Sequence, residues 1–252
     1  MSAPADAIGW HDRFGARFAD RYRHSAAFRE RLRIWSGLVD AHVRRGDAVL
    51  DAGCGPGALA CVAAQRCAEV AALDASANMI ALARQRAQTE GAANIAFHLG
   101  AIGDPQLFAG RRFDAILCSS VLEYIDDLDG ALDWLAARLA PGGVLLVSMP
   151  NGRSLYRRAE RIVFALTGRP RFYAFVRHVP TRSAFAQALG RHGLEMRAVE
   201  FYAAPRLLRL LVGGARGSEH IEPLLVAVAV RADGDDRRRT QEAERPRAHP
   251  RR

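Results

Sequence analysis

The stretch Val49-Leu50-Asp51-Ala52-Gly53-Cys54-Gly55-Pro56-Gly57 leads a short apolar strand into a turn of three spaced glycines. An alanine-rich helix is expected directly behind it, over about 58–68. Glycines at a strand-to-helix turn carry no Cβ, so a ligand can lie against the backbone, and free amides at the helix start can face its polar groups. Outward from this turn, apolar strands and helices alternate. Val70 to Leu73 reads as a second strand ending at Asp74, and Ser76 as the cap of a helix over 77–89. Further strands are expected at 95–99, 113–118 and 144–148. A helix at about 128–140 and the turn Pro141-Gly142-Gly143 precede the last of these. This alternation predicts a parallel, helix-covered sheet. Thr181 caps a further helix to about His192, and two late strands are expected at about 194–203 and 224–230.

The chain has 252 residues, half of them hydrophobic and a quarter charged, which excludes wholesale disorder. No apolar run approaches the roughly 18 residues of a membrane span. The start, MSAPADAIGW, lacks the basic and apolar regions of a signal peptide, so a cytoplasmic protein is expected. The formal net charge is +9, and all 36 basic residues are arginine. With so much alanine and glycine, this fits codon bias as well as it fits an acidic partner. Cys54, Cys61, Cys67 and Cys118 form no CxxC pair and no zinc spacing, so buried free thiols are expected and no metal.

Residues 10–45 read as helical. Phe14, Phe18 and Tyr22 form an aromatic stripe beside a basic one of Arg13, Arg17 and Arg21. Residues 151–180 carry seven arginines against one acid, Glu160. There Leu155, Ala159, Ile162, Val163 and Leu166 make one helical face, read either as packed on the domain or as turned to an anionic surface. Pro205 to Gly217 repeats the apolar-plus-arginine theme at Arg206 and Arg209. Residues 231–252 read as a disordered basic tail. The expected division is a helical cap at 1–45, a main domain at 46–230 with a lid insertion at 151–180, and the tail.

Asp74 follows Gly53 by about 20 residues, where a carboxylate at a strand end can accept both ribose hydroxyls. Gly53-x-Gly55-x-x-Ala58 formally suits a dinucleotide, but adenosine of S-adenosylmethionine uses the same acid. More residues speak for the second ligand. VLDAGCGPG at 49–57, LDAS at 73–76 with Met79, FDAILCSSVLEYI at 113–125 and LAPGGVLLVSMPN at 139–151 together resemble the ordered motifs of class I S-adenosylmethionine-dependent methyltransferases. PNGRSLYRRAER at 150–161 and RHVPTRSAFAQALGRHGLE at 177–195 resemble the quinone-biosynthesis type of small-molecule O-methyltransferase.

The resemblance implies an α/β, Rossmann-like, doubly wound seven-stranded sheet with an antiparallel C-terminal hairpin. It implies S-adenosylmethionine as cofactor, with Asp51, Gly53 and Gly55 along its methionine part and Asp74 on the ribose. Ala75 or Met79 would lie against the adenine, and Ala101 and Ile102 against its other face. Many members have an acid where Ala101 stands. Cys118 would offer backbone near the sulfonium. Some relatives have an upstream arginine facing the cofactor carboxylate. Arg33 has that spacing, Arg31 is a close rival, and a solvated helix face is the alternative for both.

Methyl transfer needs orientation and a deprotonated acceptor. The quinone-type relatives often carry a glutamate at position 120, then LEH, an acid and a histidine linked to a metal or to substrate activation. Here Ser120 and Tyr124 replace them and Glu123 is kept, so no metal is expected. Tyr124 and His178 are the acid–base candidates, with His220 a weaker third. The expected function is methyl transfer to an oxygen of a small, largely apolar acceptor. That acceptor is read as lipid-like and met at a membrane surface, with no DNA partner and the oligomeric state left open. The alternatives are a nicotinamide-dependent oxidoreductase and an RNA-directed methyltransferase.

Overall fold

In the computed structural model, residues 8, 9, 12, 25–205 and 217–231 are described. Seven strands form one sheet: β1 (Ala48–Ala52), β2 (Glu69–Asp74), β3 (Ile95–Leu99), β4 (Phe113–Ser119), β5 (Leu139–Pro150), β6 (Leu194–Tyr202) and β7 (Leu224–Arg231). Their spatial order is β3-β2-β1-β4-β5-β7-β6. The first five run parallel, and β7 lies antiparallel between β5 and β6. Chain order reverses between β1 and β4, so a crevice opens beyond their carboxyl ends. The doubly wound mixed sheet and the late antiparallel pair match the sequence reading.

Six helices accompany the sheet among the described residues: α1 (Ala26–His42), α2 (Ala58–Ala64), α3 (Ala77–Glu90), α4 (Leu128–Arg138), α5 (Leu155–Thr167) and α6 (Arg182–Arg191). Ser76, Asp127, Ser154 and Thr181 cap α3, α4, α5 and α6 through their side-chain oxygens. Alternation along β1 divides the core. Leu50 joins Phe113, Ile116, Leu132, Leu135 and Phe185 on one face. Val49 joins Trp35, Leu59, Val70, Leu117 and Leu146 on the other. A central strand covered on both faces reads as a continuous apolar run, which is why β1 is recognisable without alternation in its sequence.

Four expectations change. The helix read over 10–45 is not continuous: α1 spans Ala26–His42, with Ser25 and Val43 extended at its ends. Helix α2 ends at Ala64 instead of 68, because Asn94 Nδ2 donates to the carbonyls of Ala64, Cys67 and Ala68 as the chain turns toward β2. Strand β5 begins at Leu139, with Pro141-Gly142-Gly143 inside it and the register shifting opposite Phe113 and Ala115. Gly142, at φ 71°, takes that bend. The apolar face of α5 does not pack on the domain. Leu155, Ile162, Val163 and Leu166 are 48–81% exposed, and α5 has no buried residue. The stripes at 13–22, Arg206 and Arg209, and the tail beyond Arg231 lie outside the described residues. No helix among the described residues is long and apolar enough to cross a membrane.

Candidate cofactor and acceptor site

The three glycines of the turn have three different roles. Gly53, Gly55 and Gly57 all have positive φ, at 80°, 51° and 78°. A Cβ on Gly57 would come within 2.9 Å of Ala83 Cβ, so this glycine lets α2 and α3 meet. A Cβ on Gly53 would strike Val121, from the loop after β4. Beside Gly55 there is open space, which makes it the part of the turn a ligand can approach.

The turn's amides correct the sequence reading. Gly53 and Cys54 both donate to the Leu73 carbonyl, at 2.7 and 2.9 Å, and Gly57 donates to Cys54. The Gly55 amide donates to Asp74 Oδ2 at 2.8 Å. These amides therefore bind the turn to β2 and do not face outward. A pyrophosphate would need such donors free, whereas an adenosyl group needs an acceptor carboxylate and an open wall.

Asp74 lies at the end of β2 with its carboxylate turned to the glycine turn. Its Oδ1 accepts the Ser76 amide at 2.9 Å. Burial pushes its acidity toward weaker values, and the Ser76 and Gly55 amides oppose that. A carboxylate has about four acceptor positions, so the two amides leave room for ribose hydroxyls. Ala75 is half-buried beside it, and Met79 is buried at the start of α3. The Gly100 amide binds the Asp74 carbonyl, which brings the loop after β3 to the same edge. There Ala101 is exposed, while Ile102 packs back onto the core and has only part of its side chain to offer a ligand.

One contact here was invisible in the sequence. Asp12 accepts from Ser76 Oγ at 2.6 Å and from Asn78 Nδ2 at 2.9 Å, so the N-terminal segment touches the start of α3 beside Asp74.

Of the two upstream arginines, Arg31 is the one that reaches the end of β4. Arg31 Nη2 donates to the Ser119 carbonyl and hydroxyl at the carboxyl end of β4, at 2.9 and 2.7 Å. Arg33 is exposed and lines a separate hollow with Ile34, Leu38, Val199 and Phe201. Two residues on a helix turn the side chain by about 200°, so the rivals face opposite ways.

Two buried acids share the neighbourhood of Arg31. Asp51, 1% exposed, ends β1, and its Oδ2 has no hydrogen-bond partner. Burial, then the nearby Asp74, pushes its pKa from 3.8 up to about 7 against the Ala60 amide and Arg31. Glu123, 3% exposed, follows β4 with Oε2 unpartnered. Burial raises it to about 7, against the pull of its own backbone amide, Arg31, Arg157 and the Ser120 hydroxyl. Ser120 holds a left-handed φ of 56°, and its amide donates to Ser148 Oγ at 2.9 Å. A serine held there marks local strain at the strand end. Cys118 is wholly buried, and burial with Glu123 and Asp51 keeps its thiol neutral; only its backbone can serve the site.

The structure brings His178 to the backbone of the segment that carries Tyr124. The amides of Arg177 and His178 reach the Glu123 carbonyl, and His178 Nε2 lies 2.8 Å from the Ile125 carbonyl. A carbonyl only accepts, so Nε2 carries the proton and Nδ1 remains for other work. Burial and then Glu123 push the Tyr124 hydroxyl above its usual range, which suits donation better than proton removal. His220 is exposed, and its carbonyl takes the first amide of α5. The buried Glu123 and the position of Arg31 were legible only in part, since neither burial nor helix phase shows in a motif.

Comparison with known proteins agrees with this geometry. Residues 19–199 match a family model described as a methyltransferase domain. The chain is 31% identical over 172 residues to a malonyl-[acyl-carrier protein] O-methyltransferase of Enterobacter lignolyticus, covering 68% of this chain and 65% of that one. It is 37% identical over 106 residues to a ubiquinone biosynthesis O-methyltransferase of Xylella fastidiosa, covering 42% and 43%. The chain thus spans less than two thirds of the length of these curated relatives. Among solved structures, magnesium protoporphyrin IX methyltransferase of Synechocystis with bound SAH superposes with a TM-score of 0.65 at 20% identity, over 90% of this chain and 100% of that one. In sequence and fold alike, this chain belongs to the methyltransferase-domain family, of the class I S-adenosylmethionine-dependent type.

Proposed function

We propose that the protein transfers a methyl group from S-adenosylmethionine to an oxygen of a small, largely apolar acceptor. The observation that carries this reading is the open wall at Gly55 beside the Asp74 carboxylate, in a turn whose amides are bound inward. Asp74 would take the ribose, Gly53 and Gly55 the methionine part, and Ala75, Met79, Ala101 and Ile102 the adenine. Arg31 takes the place first expected of Arg33. The cofactor supplies a methyl carbon activated by its sulfonium. The protein then has to orient the acceptor and receive its hydroxyl proton as the carbon–sulfur bond gives way to a carbon–oxygen bond. Tyr124 orients by donating, and Nδ1 of His178 receives the proton. The named activities of the two curated relatives, both O-methyltransferases, support an oxygen acceptor.

The acceptor is further proposed to be lipid-like and met at an anionic membrane surface. Support comes from the exposed Leu155, Ile162, Val163 and Leu166 of α5, with Arg158 and Arg161 exposed beside them. The test of the function is mass spectrometry of small-molecule extracts incubated with protein and methyl-labelled donor. A labelled apolar product carrying an O-methyl group is expected, and label only on nitrogen or carbon would contradict the oxygen assignment. For the surface, co-sedimentation with phosphatidylglycerol vesicles should fall several-fold in the double variant Ile162→Ser, Leu166→Ser. Equal binding, or none by the parent protein, would contradict it.

A further inference from the structure

The methionine end of the candidate site contains more buried acid than base. Asp51 is 1% exposed with one oxygen unpartnered, and Glu123 is 3% exposed with one oxygen unpartnered. Asp74 adds a third carboxylate within electrostatic reach of Asp51. Against these stand Arg31 from α1, which acts on both Asp51 and Glu123, and Arg157 from α5, which acts on Glu123 but is itself paired with Glu160. Among the described residues, the other groups around Asp51 add no cation. They are the Ala60 amide from α2 and the thiols of Cys54, Cys61 and Cys118. If all three acids were ionised beside Arg31 and an Arg157 already paired with Glu160, the pocket would hold surplus buried negative charge, which a low-dielectric interior disfavours. A protonated carboxyl relieves this, and an unpartnered oxygen is where the proton can sit.

Resting on the cofactor reading above, we propose that Asp51 carries a proton in the empty protein and gives it up when the cationic methyl donor arrives. Asp51 is thereby a specificity-determining residue for charge. The donor carries sulfonium, ammonium and carboxylate and is net positive. Its demethylated product keeps only ammonium and carboxylate and is neutral overall. The donor therefore supports more ionisation of the acid surplus than the product does. The pocket holds the donor more firmly as pH rises toward 7, and loosens comparatively once the methyl group has left. The burial of Asp51, which raises its pKa to about 7, places this exchange near neutrality.

The probes are S-adenosylmethionine and S-adenosylhomocysteine, titrated calorimetrically into the full chain in phosphate and in imidazole at pH 6.5. The ligand amine is then largely protonated, since an α-amino group titrates at roughly 7.7–8.0. The difference in apparent enthalpy between the buffers counts protons released. The expected result is release of more than half a proton with the donor and clearly less with the product. Donor affinity should rise between three- and tenfold from pH 5.5 to 6.5, and Asp51→Asn should bind with the release largely abolished. Binding without release, equal release with both ligands, or a release that survives in a folded Asp51→Asn protein overturns the proposal. The two-ligand comparison needs no variant, so it decides even if Asp51→Asn does not fold. No binding of either ligand would instead bring down the cofactor reading on which the proposal stands.

Discussion

At the scale of single residues, the site depends on side chains whose positions follow from chain geometry and whose chemistry follows from burial. Asp74 was legible as a candidate acid from its spacing after the glycine turn, and Asp51 from the motif resemblance. Arg31 was not separable from Arg33, because a spacing rule counts residues while a helix distributes them around its axis. Glu123 was visible only as a retained letter of a motif; its burial shows only in the structure, where the amides of Arg177 and His178 bind its carbonyl. Both buried acids have consequences for stability. Their folded pKa values of about 7 lie above the unfolded values near 4, so the folded state holds protons that the unfolded chain releases. Without ligand, stability should therefore decline as pH rises from about 4 to about 7 and then level off. Asp51→Asn should flatten that decline in urea titrations run across the range, and an unchanged slope would contradict the burial argument. Gly57→Ala should cost about 1–3 kcal/mol, because a left-handed φ and a close Ala83 both oppose a methyl group. The urea midpoint checks this, and no loss would mean that α2 and α3 can separate freely.

Among the elements, a capping serine and a capping threonine located the starts of α3 and α6 in the sequence, and the structure confirms their hydrogen bonds; the Asp127 cap of α4 was not read. What holds the loop after β3 was not readable. Arg138, from the last turn of α4, donates to the carbonyls of Leu107, Trp134, Asp104 and Pro105 and stacks 3.9 Å over Trp134. Trp134 Nε1 also donates to Asp104. An arginine in a helix of GC-rich composition gives no hint of such a task. Arg138→Met should lose about 1.5–3 kcal/mol, the range for hydrogen bonds to a charged group. Amide exchange over 101–110 should quicken with it, and a loop as protected as in the parent would contradict this anchoring. Helix α5 went the other way. Its apolar periodicity was plain in the sequence, but periodicity does not say whether a face meets core or solvent, and the structure leaves it exposed.

On the scale of the whole molecule, the order of strands fixes where chemistry can happen. The reversal between β1 and β4 places the glycine turn, Asp74, Arg31 and the loop with Glu123 and Tyr124 around one crevice. The sheet was readable because its central strands carry continuous apolar runs, that of β1 ending at a glycine turn and that of β5 following Pro141-Gly142-Gly143. The antiparallel pairing of the two late strands came only from resemblance, and the place of β7 between β5 and β6 was not read, since a long connection leaves no local sign of its partner. Tyr202 at the end of β6 accepts from Trp35 Nε1 at 3.3 Å, tying α1 and its Arg31 to the far edge of the sheet. The account rests on the crevice taking an adenosyl sulfonium compound through Asp74. Its most direct test is calorimetric titration of S-adenosylmethionine into the parent protein and into Asp74→Ala. The account predicts one site per chain in the parent and a loss of affinity of at least tenfold in the variant. Equal affinity in the two proteins, or no binding to the parent, would contradict it.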